Sequence, residues 1–203
     1  METTTIIAII VGSLLVISTV LMAIFVKPVR RIEMSKTKRI AYVAVLSATC
    51  ALFNVFTIGL SKSVFLSFMA LPCFIAGYLF GYIEGFAVGF IGDFIGSLIN
   101  PMGAYMPLIG IASGMWGFIP GVIFTCFKGG DNLKTVVSYF LCLIICTVFL
   151  NTFGLWLLYG LGKKTFWVYL WARLPFQTFI TLINMFIALS VLTFLPHFVK
   201  NRK

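Results

Sequence analysis

The chain has 203 residues, is 61% hydrophobic and only 10% charged, and carries a formal net charge of +10. Soluble domains are about half apolar and a quarter charged, so the composition excludes a soluble globular fold and indicates an integral membrane protein. Nucleic acid is excluded as the partner of the positive charge, because no basic and aromatic groove pattern accompanies it.

Seven apolar stretches approach the roughly 20 residues that cross a bilayer. They lie at 5–26, 40–60, 64–82, 86–100, 104–127, 135–159 and 166–196. Short connections predict antiparallel neighbours, and the segments are too long and too uniformly apolar for barrel strands. The chain divides into a leading transmembrane helix with a basic linker, residues 1–35, and a six-helix membrane domain, residues 36–203. The first stretch has only Glu2 before it and a basic cluster after it. That reads as an anchor with its N-terminus outside rather than a cleaved signal peptide.

With Met1 outside, eleven of the 15 basic residues fall on the cytoplasmic side: Lys27, Arg30, Arg31, Lys36, Lys38, Arg39, Lys128, Lys134, Lys200, Arg202 and Lys203. The positive-inside rule expects this bias, and lipid headgroups are the ordinary partner for such charge. The C-terminus is then cytoplasmic.

The second stretch reads "IAYVAVLSATCALFNVFTIGL". Ala41, Ala44, Ala48 and Ala51 form a small-residue stripe, which lets helices approach closely in lipid and is a candidate docking face for a partner membrane protein. Ser47, Asn54, Thr57 and Ser61 form a polar stripe roughly 115° away at 100° per residue, suited to an interior.

Residues 81–105 combine a predicted tight turn at 81–85, a row of glycines at 85, 89, 92 and 96, a carboxylate at Asp93, and an outer loop from Asn100 to Tyr105. Each glycine gives up about 1 kcal/mol of helix propensity relative to alanine and in return permits close contact with a neighbour. Asp93 borders the row. It requires a polar partner or protonation, and either a structural or a pocket-lining role suits it.

The five cysteines fall inside predicted spans with no CxxC pair, so they read as buried apolar thiols. The sixth and seventh stretches carry the outer polar groups. Asn151, Thr152 and Trp156 lie near the outer half of one helix, and Lys163 and Lys164 lie in the turn that follows. In the last helix, Arg173, Gln177, Thr181 and Asn184 are spaced 4, 4 and 3, one polar stripe that lipid disfavours and that should face inward. Pro175 is expected to bend that helix. A guanidinium binds carboxylate bidentately and stacks on aromatic faces, so this outer cavity suits a planar anionic solute. HExxH, GxSxG and P-loop patterns are missing and no metal-ligand cluster is visible. Neither catalysis nor a motor is expected in this chain.

Three segments, "GDFIGSLINPMGAYMP", "NTFGLWLLYG" and "ARLPFQ", resemble in order and interval the substrate-binding S components of energy-coupling factor (ECF) vitamin transporters, and the folate-type group in particular. The resemblance covers about residues 36–197. It implies an all-α, six-helix ECF S-component bundle in the plasma membrane, here with one extra N-terminal helix, and no cofactor of its own. It implies capture of folate or a related vitamin. It implies docking, through Ala44 and Ala48 of the stripe, onto a transmembrane coupling subunit driven by two ATPase subunits, which alone use ATP. It also implies toppling of the binding subunit to release its solute inward. Residue by residue, Arg173, Gln177, Asn151 and Tyr159 match the pattern, and Asn100, Pro101, Gly103, Ala104 and Tyr105 match the loop that closes the pocket. With Asn54, Trp156, Lys163 and Lys164 these make up the expected substrate contacts and gate. Phe176 stands where folate-type members carry a basic residue, and Lys163 or Lys164 is expected to supply that charge. The alternatives are an S component for another vitamin, a small membrane enzyme acting on lipids through Asp93 and Arg173, and an assembly subunit without a ligand.

Overall fold

A computed structural model describes residues 17, 35–61, 64–101, 105–157 and 166–200. The predicted leading helix over 5–26 lies outside the described residues except for Ile17, as do Lys62, Gly103, Ala104, Tyr159, Lys163 and Lys164.

Six helices carry the described chain. They are α1 Lys36–Val55, α2 Ala70–Phe80, α3 Tyr82–Ile99, α4 Pro107–Cys126, α5 over 131–155 and α6 Phe166–Lys200. Five are long and apolar enough to cross a membrane, and α2 is a shorter apolar helix. Within this all-α membrane fold one predicted span needs a correction. The residues after α1 form a small antiparallel hairpin, β1 Ile58–Ser61 with β2 Val64–Leu66, in which Ile58 pairs with Leu66. The predicted span 64–82 therefore begins as a strand and is helical only from Ala70. The run Ile58, Leu60, Val64, Phe65 and Leu66 is apolar and partly β-branched, which suits a strand once a tight connection is available.

The turn between α2 and α3 is also tighter than predicted. It is one residue, Gly81, with φ 105°, a conformation that side chains with a Cβ rarely adopt. Glu84 thus lies in the first turn of α3 rather than in a loop, and pairs with Arg39 at 3.5 Å.

The glycine row of α3 packs inside the bundle and serves two neighbours in succession. A Cβ at Gly85 would collide with the Gly117 carbonyl, one at Gly117 with the Gly85 backbone, and one at Gly89 with the Ser113 carbonyl. Higher on the same stripe, Gly92 meets Cys50 and Gly96 meets Asn54. Helix α4 therefore covers the lower half of the row and α1 the upper half.

Helix α4 is the central element, with Ala112, Met115, Ile119 and Ile123 buried against Cys142, Ile145 and Cys146 of α5. A second cluster joins Phe74 and Tyr78 of α2 to Phe124, Tyr139, Ala188 and Leu192. All five cysteines are free, and Cys50 and Cys73 lie 3.5 Å apart, sulfur to sulfur, at the α1–α2 contact. Within α5, Leu143–Asn151 is π-helical, and the Thr152 hydroxyl donates to the Thr147 carbonyl five residues back. Such segments are rare and concentrate at functional sites. Helix α6 runs through Pro175 without a break in its helical assignment.

Gly117→Val should drive methyl groups into backbone that cannot yield, lowering stability by about 1–3 kcal/mol or more. Thermal unfolding in detergent checks this. Gly130→Ser, where nothing lies within 4 Å of the added Cβ, serves as the near-neutral comparison.

Candidate functional site

The bundle has two chemically different ends. Lys36, Lys38, Arg39, Lys128 and Lys134 gather where α1 and α5 begin and α4 ends. At the opposite end α1, α3 and α5 finish and α2, α4 and α6 begin. The helices enclose a cavity of about 240 Å³ there.

Its walls carry Asn54, Thr57, Ser67, Asp93, Ser97, Asn100, Tyr105, Ser113, Trp116, Thr147, Asn151, Arg173, Gln177, Thr181 and Asn184. In a bilayer such groups are expensive on a lipid-facing surface, so an enclosed cavity is the physical reason they coexist. The predicted stripe of α6 faces it whole: Arg173, Gln177, Thr181 and Asn184 all line it. Arg173 is only 3% exposed. Its Nη1 donates to the Thr152 hydroxyl at 3.1 Å, and its Nε has no partner among the described residues. Asn151 and Asn184 each present a buried side-chain carbonyl oxygen without a partner among the described residues, although the Asn184 amide donates to the Ser67 carbonyl at 3.2 Å. Three buried polar atoms on two helices are thus left unmatched around one cavity. Native interiors tolerate few such atoms, each worth about 1–3 kcal/mol if unpaired, so their convergence on one cavity marks it as a candidate ligand site.

The opposite wall is built on Asp93. The Asn54 amide donates to Asp93 Oδ1 at 2.8 Å, and Ser113 lines the same cavity. Gly96 and Gly89 make this possible by admitting Asn54 and the Ser113 backbone close to α3. Asp93 therefore satisfies both readings of the sequence: it is hydrogen-bonded to a polar neighbour and it lines the cavity.

At the mouth, Tyr105 packs edge-on to Phe94 at 5.4 Å between ring centroids, and its hydroxyl occupies the space that a side chain at residue 110 would fill. Asn100 ends α3 and donates to the Val55 carbonyl at 3.1 Å, fastening α3 to α1 beside the cavity. Pro101 is exposed and does not line the cavity.

Two expected residues stand elsewhere. Trp156 does not line the cavity; it is buried with Phe166 and Leu170, where α5 meets α6, because its large ring fills that contact. Ala51 is 4% exposed and belongs to the interior, whereas Ala41, Ala44 and Ala48 are exposed on α1. Ala51 lies only about 20° round the helix from the exposed Ala44 at 100° per residue, so its burial comes from what covers that level of α1 and not from its angle. Sequence reasoning did not single out Ser113, Trp116, Thr147, Ser67 or Ser97 as cavity residues. Their only signal is a single polar or aromatic group in an apolar helix, which packing alone explains equally well. Among the described residues no group of three His, Cys, Asp or Glu side chains could hold a metal ion.

Residues 34–200 match the family described as ECF-type riboflavin transporter, S component. Among solved structures, FolT bound with folic acid is similar at a TM-score of 0.64, with 23% identity over 74% of this chain and 91% of that one. The S component of a bacterial ECF transporter reaches 0.67, with 18% identity over 82% of this chain and 99% of that one. At these identities the likeness establishes the fold. No significant match is found among curated proteins.

Asn54→Leu should cost about 1–3 kcal/mol of stability by leaving the Asp93 carboxyl short of a donor. The Asn54→Leu/Asp93→Leu pair should cost less than the sum of the two single changes, because the groups share one interaction. Denaturation of the purified variants measures both.

Proposed function

The chain belongs to the family of ECF-type riboflavin transporter S components, a multi-pass membrane class, and from that premise we propose that it captures a vitamin in the cavity between α1, α3, α4, α5 and α6. The observation that carries this is the set of unmatched buried polar atoms, Arg173 Nε with the carbonyl oxygens of Asn151 and Asn184, around a cavity open to one end of the bundle. The cavity end is the outer one, since the basic residues gather at the other, where the positive-inside rule puts the cytoplasm. The protein sits in the plasma membrane with its C-terminus inside.

Folate is the favoured ligand. Arg173 is a buried cation without an ion-pair partner among the described residues, and a ligand carboxylate is the group that would neutralise it. The FolT relative, which carries folic acid, supports the same ligand. Riboflavin is the second reading, favoured by the description of the matching family. Lys163 and Lys164 would add cations at the mouth, and Tyr105 with residues 100–104 would close it.

No P-loop is present in the sequence, so uptake against a gradient depends on a coupling subunit and two ATPases. The exposed Ala41, Ala44 and Ala48 form a smooth face on α1 that lets such a subunit approach closely. The binding subunit acts as a carrier rather than an enzyme.

Folate added to purified protein should quench its tryptophan fluorescence saturably, and Arg173→Ala should weaken that binding by roughly 10- to 100-fold, since a charged hydrogen bond contributes about 1.5–3 kcal/mol. Saturable quenching by riboflavin alone would transfer the assignment to the second reading, and no response to either would remove the vitamin assignment. Ala44→Trp or Ala48→Trp should retain ligand binding but abolish uptake by cells. Normal co-purification of these variants with the coupling subunit would exclude the docking face.

A further inference from the structure

The Asp93 carboxylate is the feature that capture of an anion does not use, and at first sight it opposes it. It lines the same cavity as Arg173 but stands on the wall made by α1, α3 and α4, while Arg173 stands where α5 meets α6. No ion pair joins the two among the described residues. Each is held by its own neighbour, Asp93 by Asn54 and Arg173 by Thr152. A carboxylate on one wall and a guanidinium on the other match a ligand that brings N–H donors to the first and an anionic group to the second.

We propose that Asp93 is the specificity-determining residue of this site and recognises a pair of adjacent N–H donors on the ligand's heterocycle. The inference rests on the vitamin-capture reading above. A carboxylate offers about four lone-pair positions on two oxygens. Asn54 takes up one and helps to fix the plane of the carboxyl as it does so. The remaining capacity suits two parallel N–H donors, the fork arrangement in which carboxylates bind most strongly. A 2-amino-4-oxopteridine ring presents such an edge, with its ring N3–H beside its exocyclic amino group, and folate joins that ring to a glutamate whose carboxylates suit Arg173. The isoalloxazine ring of riboflavin presents the opposite edge, one N–H flanked by two carbonyl oxygens. Those oxygens would face the carboxylate, so Asp93 selects against that ring as well as for the other.

The test compares full-length protein in detergent with folate, with a folate analogue whose 2-amino group is replaced by methyl, and with riboflavin. Wild-type protein should bind the methyl analogue at least about tenfold more weakly than folate, since a partner of the carboxylate is left unmade. In Asp93→Asn that ratio should shrink toward one, and the preference for folate over riboflavin should fall. The wild-type comparison needs no mutation, so it stands even where Asp93→Asn folds poorly. Equal affinity of wild type for folate and its methyl analogue would overturn the assignment of Asp93 while leaving vitamin capture intact. Binding of neither vitamin by wild type would instead remove the reading on which the inference rests. An unaltered folate-to-analogue ratio in folded Asp93→Asn would show that another residue reads the ring.

Discussion

The close approach of α3 to α4 is the contact on which the rest of the molecule depends. At Gly85 and Gly117 the two backbones touch with no side chain between them, and at Gly89 the Ser113 carbonyl takes the place of a side chain. Lipid tails are as apolar as leucine, so burial of apolar surface does little to draw helices together in a membrane, and such contacts stabilise the bundle through packing. The same approach has a chemical effect. It brings Ser113 to the cavity that Asp93 lines, and the continuation of the glycine row brings Asn54 to the Asp93 carboxyl. The packing rail and the polar wall of the cavity are one structure.

Ordering a carboxylate, a guanidinium and several amides in the bilayer is possible because they are concentrated at one end and turned toward one another. Each of α1, α3, α4, α5 and α6 contributes to the cavity while directing apolar residues elsewhere. The π-helical stretch of α5 carries Thr147 and Asn151, and Thr152 follows it against Arg173. Irregular backbone at membrane depth is tolerated where it is covered by protein or lines a cavity, and both conditions hold here. At the other end the Arg39–Glu84 pair and the basic residues mark the surface that faces anionic headgroups.

Much of the site was legible because helical spacing is rigid. The 4, 4, 3 spacing of Arg173, Gln177, Thr181 and Asn184 is one face of any helix, and lipid excludes that face, so inward orientation needs no tertiary information. Asn54 and Thr57 follow in the same way. The limits are equally physical. The alanine stripe loses Ala51 because that level of α1 is covered by the bundle, although Ala51 shares nearly the same helix angle as the exposed Ala44. Trp156 is polar enough at one atom to suit a ligand and large enough to fill a helix contact, and only the position of Phe166 and Leu170 decides for the latter. The hairpin after α1 was hidden because a short apolar run has no periodicity that separates strand from helix.

Composition and the fixed angle between successive residues were enough to give the membrane class, the charge asymmetry and the inward stripe of the last helix. The tertiary structure decided which neighbour each face meets. It divided one glycine stripe between α4 and α1, and it placed Asp93 in the cavity beside Asn54 and Ser113, which are 39 and 20 positions away in the chain. A lone acid in an apolar helix carries no record of such partners, since the partners are set by how helices cross and not by anything within the helix itself.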